Sequence, residues 1–194
     1  GRYDRPLTQL LETQDESAGS VLAQVAPRLA ATAVPRADLG TTNFEAYQSY
    51  MLGRDFLNRR PRGWAPQALA AYRRAIELDP RFGRAYGGIA LVNAIGLSFA
   101  DSRAPLIADA TAAARRALEL EPELGLAHAA LGVLALQQDD GAGAEPHLRR
   151  ALALDPQLTT AHAWLAGALL QQGRAQEARR ELEAGLQRDP LNPL

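Results

Sequence analysis

The chain has 194 residues, 21 basic and 22 acidic side chains, a formal net charge of -1 and a sequence pI near 6.4; this balance lacks the basic excess of a nucleic-acid or anionic-membrane module. It has no cysteine, which excludes a disulfide framework and a thiolate metal site, and its apolar runs fall short of the roughly 18–20 residues needed to cross a bilayer. All 21 basic residues are arginine, alanine and leucine are abundant, and aromatic and β-branched residues are few, so composition predicts an all-α protein.

The opening Gly1-Arg2-Tyr3-Asp4 has neither a charged n-region nor an apolar h-region, so no signal peptide is expected and a cytoplasmic setting follows. From Leu7 to Leu29 the sequence reads as partly helical, with Val21, Leu22, Val25 and Leu29 at spacings of three or four. Pro27 kinks or ends that helix. Ala33-Val34-Pro35 and Gly40-Thr41-Thr42-Asn43 read as a linker, with Asn43 or Thr42 capping the next helix. Residues 1–43 therefore form an N-terminal helical segment and linker, distinct from the repeats of 44–194.

Those repeats announce themselves through acidic–proline pairs: Asp79-Pro80, Glu121-Pro122, Asp155-Pro156 and Asp189-Pro190, spaced by 42, 34 and 34 residues. Twelve positions before each proline stands alanine, namely Ala68, Ala110, Ala144 and Ala178. Eight before stand Tyr72, Ala114, Leu148 and Leu182, and five before stand Ala75, Ala117, Ala151 and Gly185. Upstream, each unit has an apolar residue followed by a small one: Leu52-Gly53, Ile89-Ala90, Leu131-Gly132 and Leu165-Ala166. Small residues at fixed offsets suit two antiparallel helices that cross closely, and each proline ends a helix because it lacks the donor a helix interior requires. The pattern divides as 46–82, 83–124, 125–158 and 159–192. Extra residues are expected in the turns near 58–63 and 97–103, whereas Gly141-Ala142-Gly143 and Gly173-Arg174 occupy the two shorter turns.

This grammar resembles the tetratricopeptide repeat, whose period is about 34 residues. The resemblance implies a right-handed superhelix, an α-solenoid of about four helix-turn-helix repeats. Tyr3-Asp4-Arg5-Pro6-Leu7 through Gln14-Asp15-Glu16, with Glu45-Ala46-Tyr47 and Tyr50-Met51-Leu52-Gly53-Arg54, resembles a narrower bacterial arrangement. There the tail of a TolB-like domain leads into such repeats, in the C-terminal region of some class III adenylate cyclases and of CadC-like winged-helix transcriptional regulators. That likeness implies a non-catalytic regulatory module of a signalling or transcription protein. The alternatives are the non-catalytic part of a class III cyclase and a stand-alone assembly adaptor.

Candidate chemistry within the chain is sparse. His128 and His162 stand 34 apart, in equivalent places of adjacent repeats, with Tyr86 in the same place of the second repeat. Stacked equivalents lie about 8–10 Å apart, too far for one metal ion at about 2.0–2.1 Å from each ligand. His147 follows Pro146 and has no partner at ligand spacing. No phosphate-binding loop, nucleophile elbow or zinc-protease motif occurs, so no catalytic residue, cofactor or metal is expected. Arg73-Arg74, Arg115-Arg116 and Arg149-Arg150 share one offset, and Glu77 and Glu119 stand four residues after Arg73 and Arg115, which predicts surface ion pairs.

The resemblance also implies a concave groove lined by the first helix of each repeat. Tyr47, Tyr50, Arg54, Leu57 and Asn58 would line it in the first repeat, and Arg84, Gly87, Gly88, Leu91 and Ile95 in the second. Ala129, Val133, Leu136 and Gln137 continue it in the third, with Ala163, Trp164, Gly167, Leu170 and Gln171 in the fourth. The places that grip a peptide carboxylate in some relatives hold Tyr50, Arg54, Gly88, Leu126 and Ala130 here, so that clamp is absent. The expected partner is a protein or peptide: a partner helix, a second copy of the chain, or its own N-terminal helix. Leu182, Leu186 and Leu191 are expected to lie exposed on the last helix and to favour dimerisation or a further capping segment.

Overall fold

The acidic–proline pairs end one helix and set the turn into the next. The computed structural model describes residues 39–100 and 102–188; the predicted helix of Leu7–Leu29, most of the linker, Asp189-Pro190 and Leu191 lie outside the described residues. Among the described residues there are eight α-helices and no strand. They are α1 (Phe44–Arg59), α2 (Trp64–Leu78), α3 (Gly83–Gly96), α4 (Arg103–Leu120), α5 (Gly125–Leu136), α6 (Gly141–Leu154), α7 (Thr160–Gln171) and α8 (Ala175–Arg188). A 3₁₀ turn, Leu97–Phe99, follows α3 and fills the longer connection expected in the second repeat. The helices pack as hairpins α1/α2, α3/α4, α5/α6 and α7/α8, and each odd-numbered helix also packs on the next odd-numbered one. That is the architecture of an α-solenoid.

Three turns between hairpins are built alike. The backbone N–H groups of Asp79, Glu121 and Asp155 donate to the carbonyls of Ala75, Ala117 and Ala151 at 2.9, 2.8 and 2.8 Å. Their own carbonyls accept from Phe82, Leu124 and Leu158, each at 3.1 Å, with proline at the second position of the turn, where its fixed φ is favourable. The carboxylates of Asp79 and Asp155 also accept from the N–H two residues on, Arg81 and Gln157, both at 3.0 Å. Glu121, one methylene longer, reaches back instead to the first turn of α3. There it accepts from the Arg84 backbone N–H at 3.1 Å and from its guanidinium at 3.3 Å, where a negative charge suits the helix N-terminus.

Asn43 is the cap of α1. Its side-chain oxygen accepts from Ala46 N–H at 3.1 Å while its amide donates to the Leu78 carbonyl at 3.0 Å, and the Thr41 hydroxyl donates to the Asp79 carboxylate. The chain entering the first repeat is thereby tied to the end of α2. One expected turn differs. Gly141-Ala142-Gly143 is not a loop but the first turn of α6, because Asp139 (φ 60°) makes the reversal and Asp140 accepts from Gly143 N–H at 2.8 Å.

Packing follows the small-residue offsets. The alanines aligned across the repeats, Ala68, Ala110, Ala144 and Ala178, are all buried. Tyr72 of α2 lies between α1 and α3: a Cβ on Gly53 would meet its ring at 2.6 Å, and a Cβ on Gly88 at 2.5 Å. In the third repeat a Cβ on Gly132 would meet Leu148 at 2.5 Å. In the second, alanine stands at both aligned positions, Ala90 in place of glycine and Ala114 in place of the larger side chain, and both are fully buried. The side chain on one helix thus sets the space its partner must leave.

The Tyr72 hydroxyl is buried without a hydrogen-bond partner, and burial pushes its pKa well up. An unmet buried polar group costs about 1–3 kcal/mol, so Tyr72→Phe is expected to raise stability by ~1 kcal/mol in urea unfolding. Gly88→Ala is expected to lower it by about 1–3 kcal/mol, as overpacking does.

Candidate binding surface

The depth of each first helix decides which expected groove residues can meet a partner. Tyr50, Gly87, Gly88, Leu91, Ile95, Ala129 and Val133 are buried, as is Leu57. This corrects the groove assignment. Leu91 is 1% and Val133 3% exposed, and Tyr50, Leu91, Ile95 and Val133 belong to one core cluster with Tyr72 and Phe82. Gly87 faces Leu124 and Gly88 faces Tyr72, so neither offers its backbone to solvent. Tyr50 packs on Phe82 with ring centroids 5.0 Å apart, and burial raises its pKa.

The accessible remainder falls into two groups. On the first repeat, Tyr47 is half-buried, Arg54 and Asn58 are exposed, and the Arg54 guanidinium lies 5.9 Å from the Tyr50 ring centroid. Arg84 is half-buried and engaged by Glu121 at 3.3 Å. The second group lies on α5 and α7: Leu136, Gln137, Ala163, Trp164 and Gly167 are half-buried, while Leu170 and Gln171 are exposed. This group is joined up. A Cβ on Gly167 would lie 3.9 Å from Leu136, and the Gln171 amide donates to the Leu136 carbonyl at 3.2 Å. The Gln137 amide donates to the Ser98 hydroxyl at 2.6 Å, and Arg103 donates to the Gln137 carbonyl. Leu170, 55% exposed, is its most accessible apolar residue.

The histidines correct a second expectation. His147 does have a partner: its Nδ1 lies 3.3 Å from Nδ1 of His128 across the α5/α6 hairpin. Burial, chiefly, lowers the pKa of both rings, and for His128 the His147 ring and Arg150 add to the effect. His162 is buried in the corresponding place of the last hairpin, where Nδ1 meets the Glu181 carboxylate at 2.9 Å and Nε2 meets Arg188 at 3.0 Å. Arginine pairing is shifted by one residue from expectation, with Arg74 on Glu77 at 3.2 Å and Arg116 on Glu119 at 2.9 Å. On α8, Leu182 is half-buried and Leu186 exposed.

Sequence reasoning also missed a cavity of about 420 Å³ lined by Trp64, Leu69, Val92, Asn93, Phe99 and Leu106. Asn93 is buried there, while Phe99 is 84% exposed. No helix among the described residues is long and apolar enough to cross a membrane.

Two sequence profiles of the tetratricopeptide repeat match, one over residues 96–159 and one over 135–194. The chain carries tetratricopeptide repeats. The structure is similar to that of a thermophilic TPR protein from Thermus thermophilus, at 20% identity and a TM-score of 0.62, covering 94% of this chain and 90% of that one. It is also similar to MamA, at 16% identity and a TM-score of 0.50, covering 97% of each chain. YrrB, described as a TPR protein with an unusual peptide-binding site, aligns at 24% identity and a TM-score of 0.47 over 75% of this chain and 69% of its own. At these identities the likeness shows the fold alone. No curated protein sequence gives a significant match.

The histidine pair generates a pH dependence. Because folding lowers both pKa values, the unfolded chain binds protons first as pH falls below about 6.5. Stability is expected to be full above that pH and to decline toward the lower folded values. His147→Gln should flatten the decline in the unfolding midpoint measured between pH 7.5 and 5.

Proposed function

We propose that the repeats form a non-catalytic protein–protein interaction scaffold that binds a peptide or helix through the first helices of the third and fourth repeats. The observation that carries this reading is the continuous strip of Leu136, Gly167, Leu170, Gln137 and Gln171, where apolar side chains and side-chain amides alternate on neighbouring helices. An amphipathic helix supplies matching apolar anchors at helical spacing. The amides supply orientation without a charged clamp. Leu91 and Val133, being core residues, do not touch the partner.

The regulatory reading rests on the short motifs of residues 3–16 and 45–54. In it the repeats are the C-terminal region of a bacterial, cytoplasmic signalling or transcription protein, and occupancy of the strip biases an attached output domain. The same motifs support the rival in which that domain is a class III cyclase. Exposed Leu186 is the feature that supports self-association.

Selection of displayed peptides on the full chain tests the surface. Peptides that bind the wild-type chain are expected to lose at least about tenfold in affinity on Leu170→Glu combined with Leu136→Gln, about 1.4 kcal/mol, with circular dichroism unchanged. Binding that is indifferent to both substitutions would place the partner site elsewhere.

A further inference from the structure

The longer connection of the second repeat leaves a cavity beside α3. About 420 Å³ of space opens between the start of α2, the end of α3, the 3₁₀ turn and the start of α4, with Trp64, Val92, Phe99 and Leu106 in its wall. That size falls within the about 300–1,000 Å³ of sites that take small molecules. None of the described lining residues is charged, and Asn93 supplies their only side-chain carboxamide. The turn that carries Phe99 is held in place: the Ser98 hydroxyl accepts from the Gln137 amide, and Arg103 at the start of α4 donates to the Gln137 carbonyl. A Cβ on Gly96, another lining residue, would meet nothing within 4 Å, so the end of α3 leaves the cavity room.

Asn93 points to a ligand. It is 4% exposed, yet nothing among the described residues hydrogen-bonds its carboxamide. The Tyr72 hydroxyl is sealed from any partner; the Asn93 amide instead opens on the cavity it lines. Thirteen residues on from Pro80, Pro122 and Pro156 stand Asn93, Ala135 and Leu169, so the repeat accepts an apolar residue at this place. The unmet carboxamide of the second repeat costs stability that packing does not return. Water meets it poorly, because a held water needs about two to four polar partners and the wall around this amide is otherwise apolar.

We propose that this cavity binds a neutral small molecule with a flat aromatic body and an amide-like edge, a hydrogen-bond donor beside an acceptor. The Asn93 carboxamide has an NH₂ donor and a carbonyl acceptor, and it pairs with such an edge through two hydrogen bonds. The rings of Trp64 and Phe99 supply aromatic surface for the body. A carboxylate or an ammonium is rejected, because an uncharged wall strips its water and returns no counter-charge. The site is separate from the strip on α5 and α7, none of whose residues lines it.

The experiment titrates the full chain, isotopically labelled for nuclear magnetic resonance, with two probes of one shape, naphthamide and naphthoate. The chain has two tryptophans, Trp64 in the cavity wall and Trp164 outside it. Their indole N–H resonances therefore report on the site and on a control, and Trp164→Phe assigns them. The expected result is a saturable shift of the Trp64 resonance with naphthamide, an unmoved Trp164 resonance, and naphthoate binding at least about tenfold weaker. Asn93→Leu should weaken naphthamide at least about tenfold while raising the unfolding midpoint, since it removes the unmet amide. Gly96→Leu, which places a side chain in the cavity, should abolish the shift. No saturable shift, equal shifts of both resonances, equal affinity for the two probes, or naphthamide affinity unchanged in either folded variant overturns the proposal. Should Asn93→Leu prove unfolded by circular dichroism, Gly96→Leu and the comparison of the two probes decide the matter.

Discussion

The fold depends on how closely the two helices of each hairpin can approach, and that distance is set by one side chain at a time. Tyr72 is the clearest instance, a ring held between Gly53 of α1 and Gly88 of α3 with no room for a methyl group on either. It links the first repeat to the second as well as the two helices of its own repeat. Leu148 on Gly132 repeats the device, and the second repeat has buried alanines, Ala114 and Ala90, at the corresponding positions. A solenoid has no single central core, so these local fits, passed from one hairpin to the next, carry its stability.

Close approach also decides what remains on the surface. When α3 and α5 are drawn in tightly, the residues that family patterning assigns to the groove are covered. The accessible residues that remain lie toward the ends of α5 and α7, where Leu136 meets Gly167 and Leu170 stays exposed. The polar groups there are amides already oriented by hydrogen bonds, as Gln171 is by the Leu136 carbonyl.

Much of this was legible in the sequence. The aligned prolines and alanines located the repeats, and the three turns at Asp79, Glu121 and Asp155 follow from residue type. The depth of the first helices was also written there, in a signal the repeat alignment overrode. Between Gly87 and Gly96 only Asn93 is polar, and between Gly125 and Leu136 only His128. A helix apolar on all sides is buried on all sides; α8, with its arginines and glutamates on one face, is the contrasting case. Family position says which face of a helix looks inward. It does not say how far the neighbours close over that face, which depends on side-chain volumes summed across three helices.

The histidines show a second limit of reading along one period. A spacing of 34 relates residues in equivalent places, which stack at a distance; contact comes from the spacing of 19 that crosses a hairpin. At that spacing the scaffold is constant while the chemistry is not. The last repeat fills it with histidine, glutamate and arginine, a closed set of complementary charges and hydrogen bonds on a buried position. The third fills it with two imidazoles that cannot satisfy each other with more than one proton. Burial, with the His147 ring 3.3 Å away and Arg150 nearby, lowers the proton affinity of His128, so the contact that charge holds in the last repeat rests in the third on at most one shared proton.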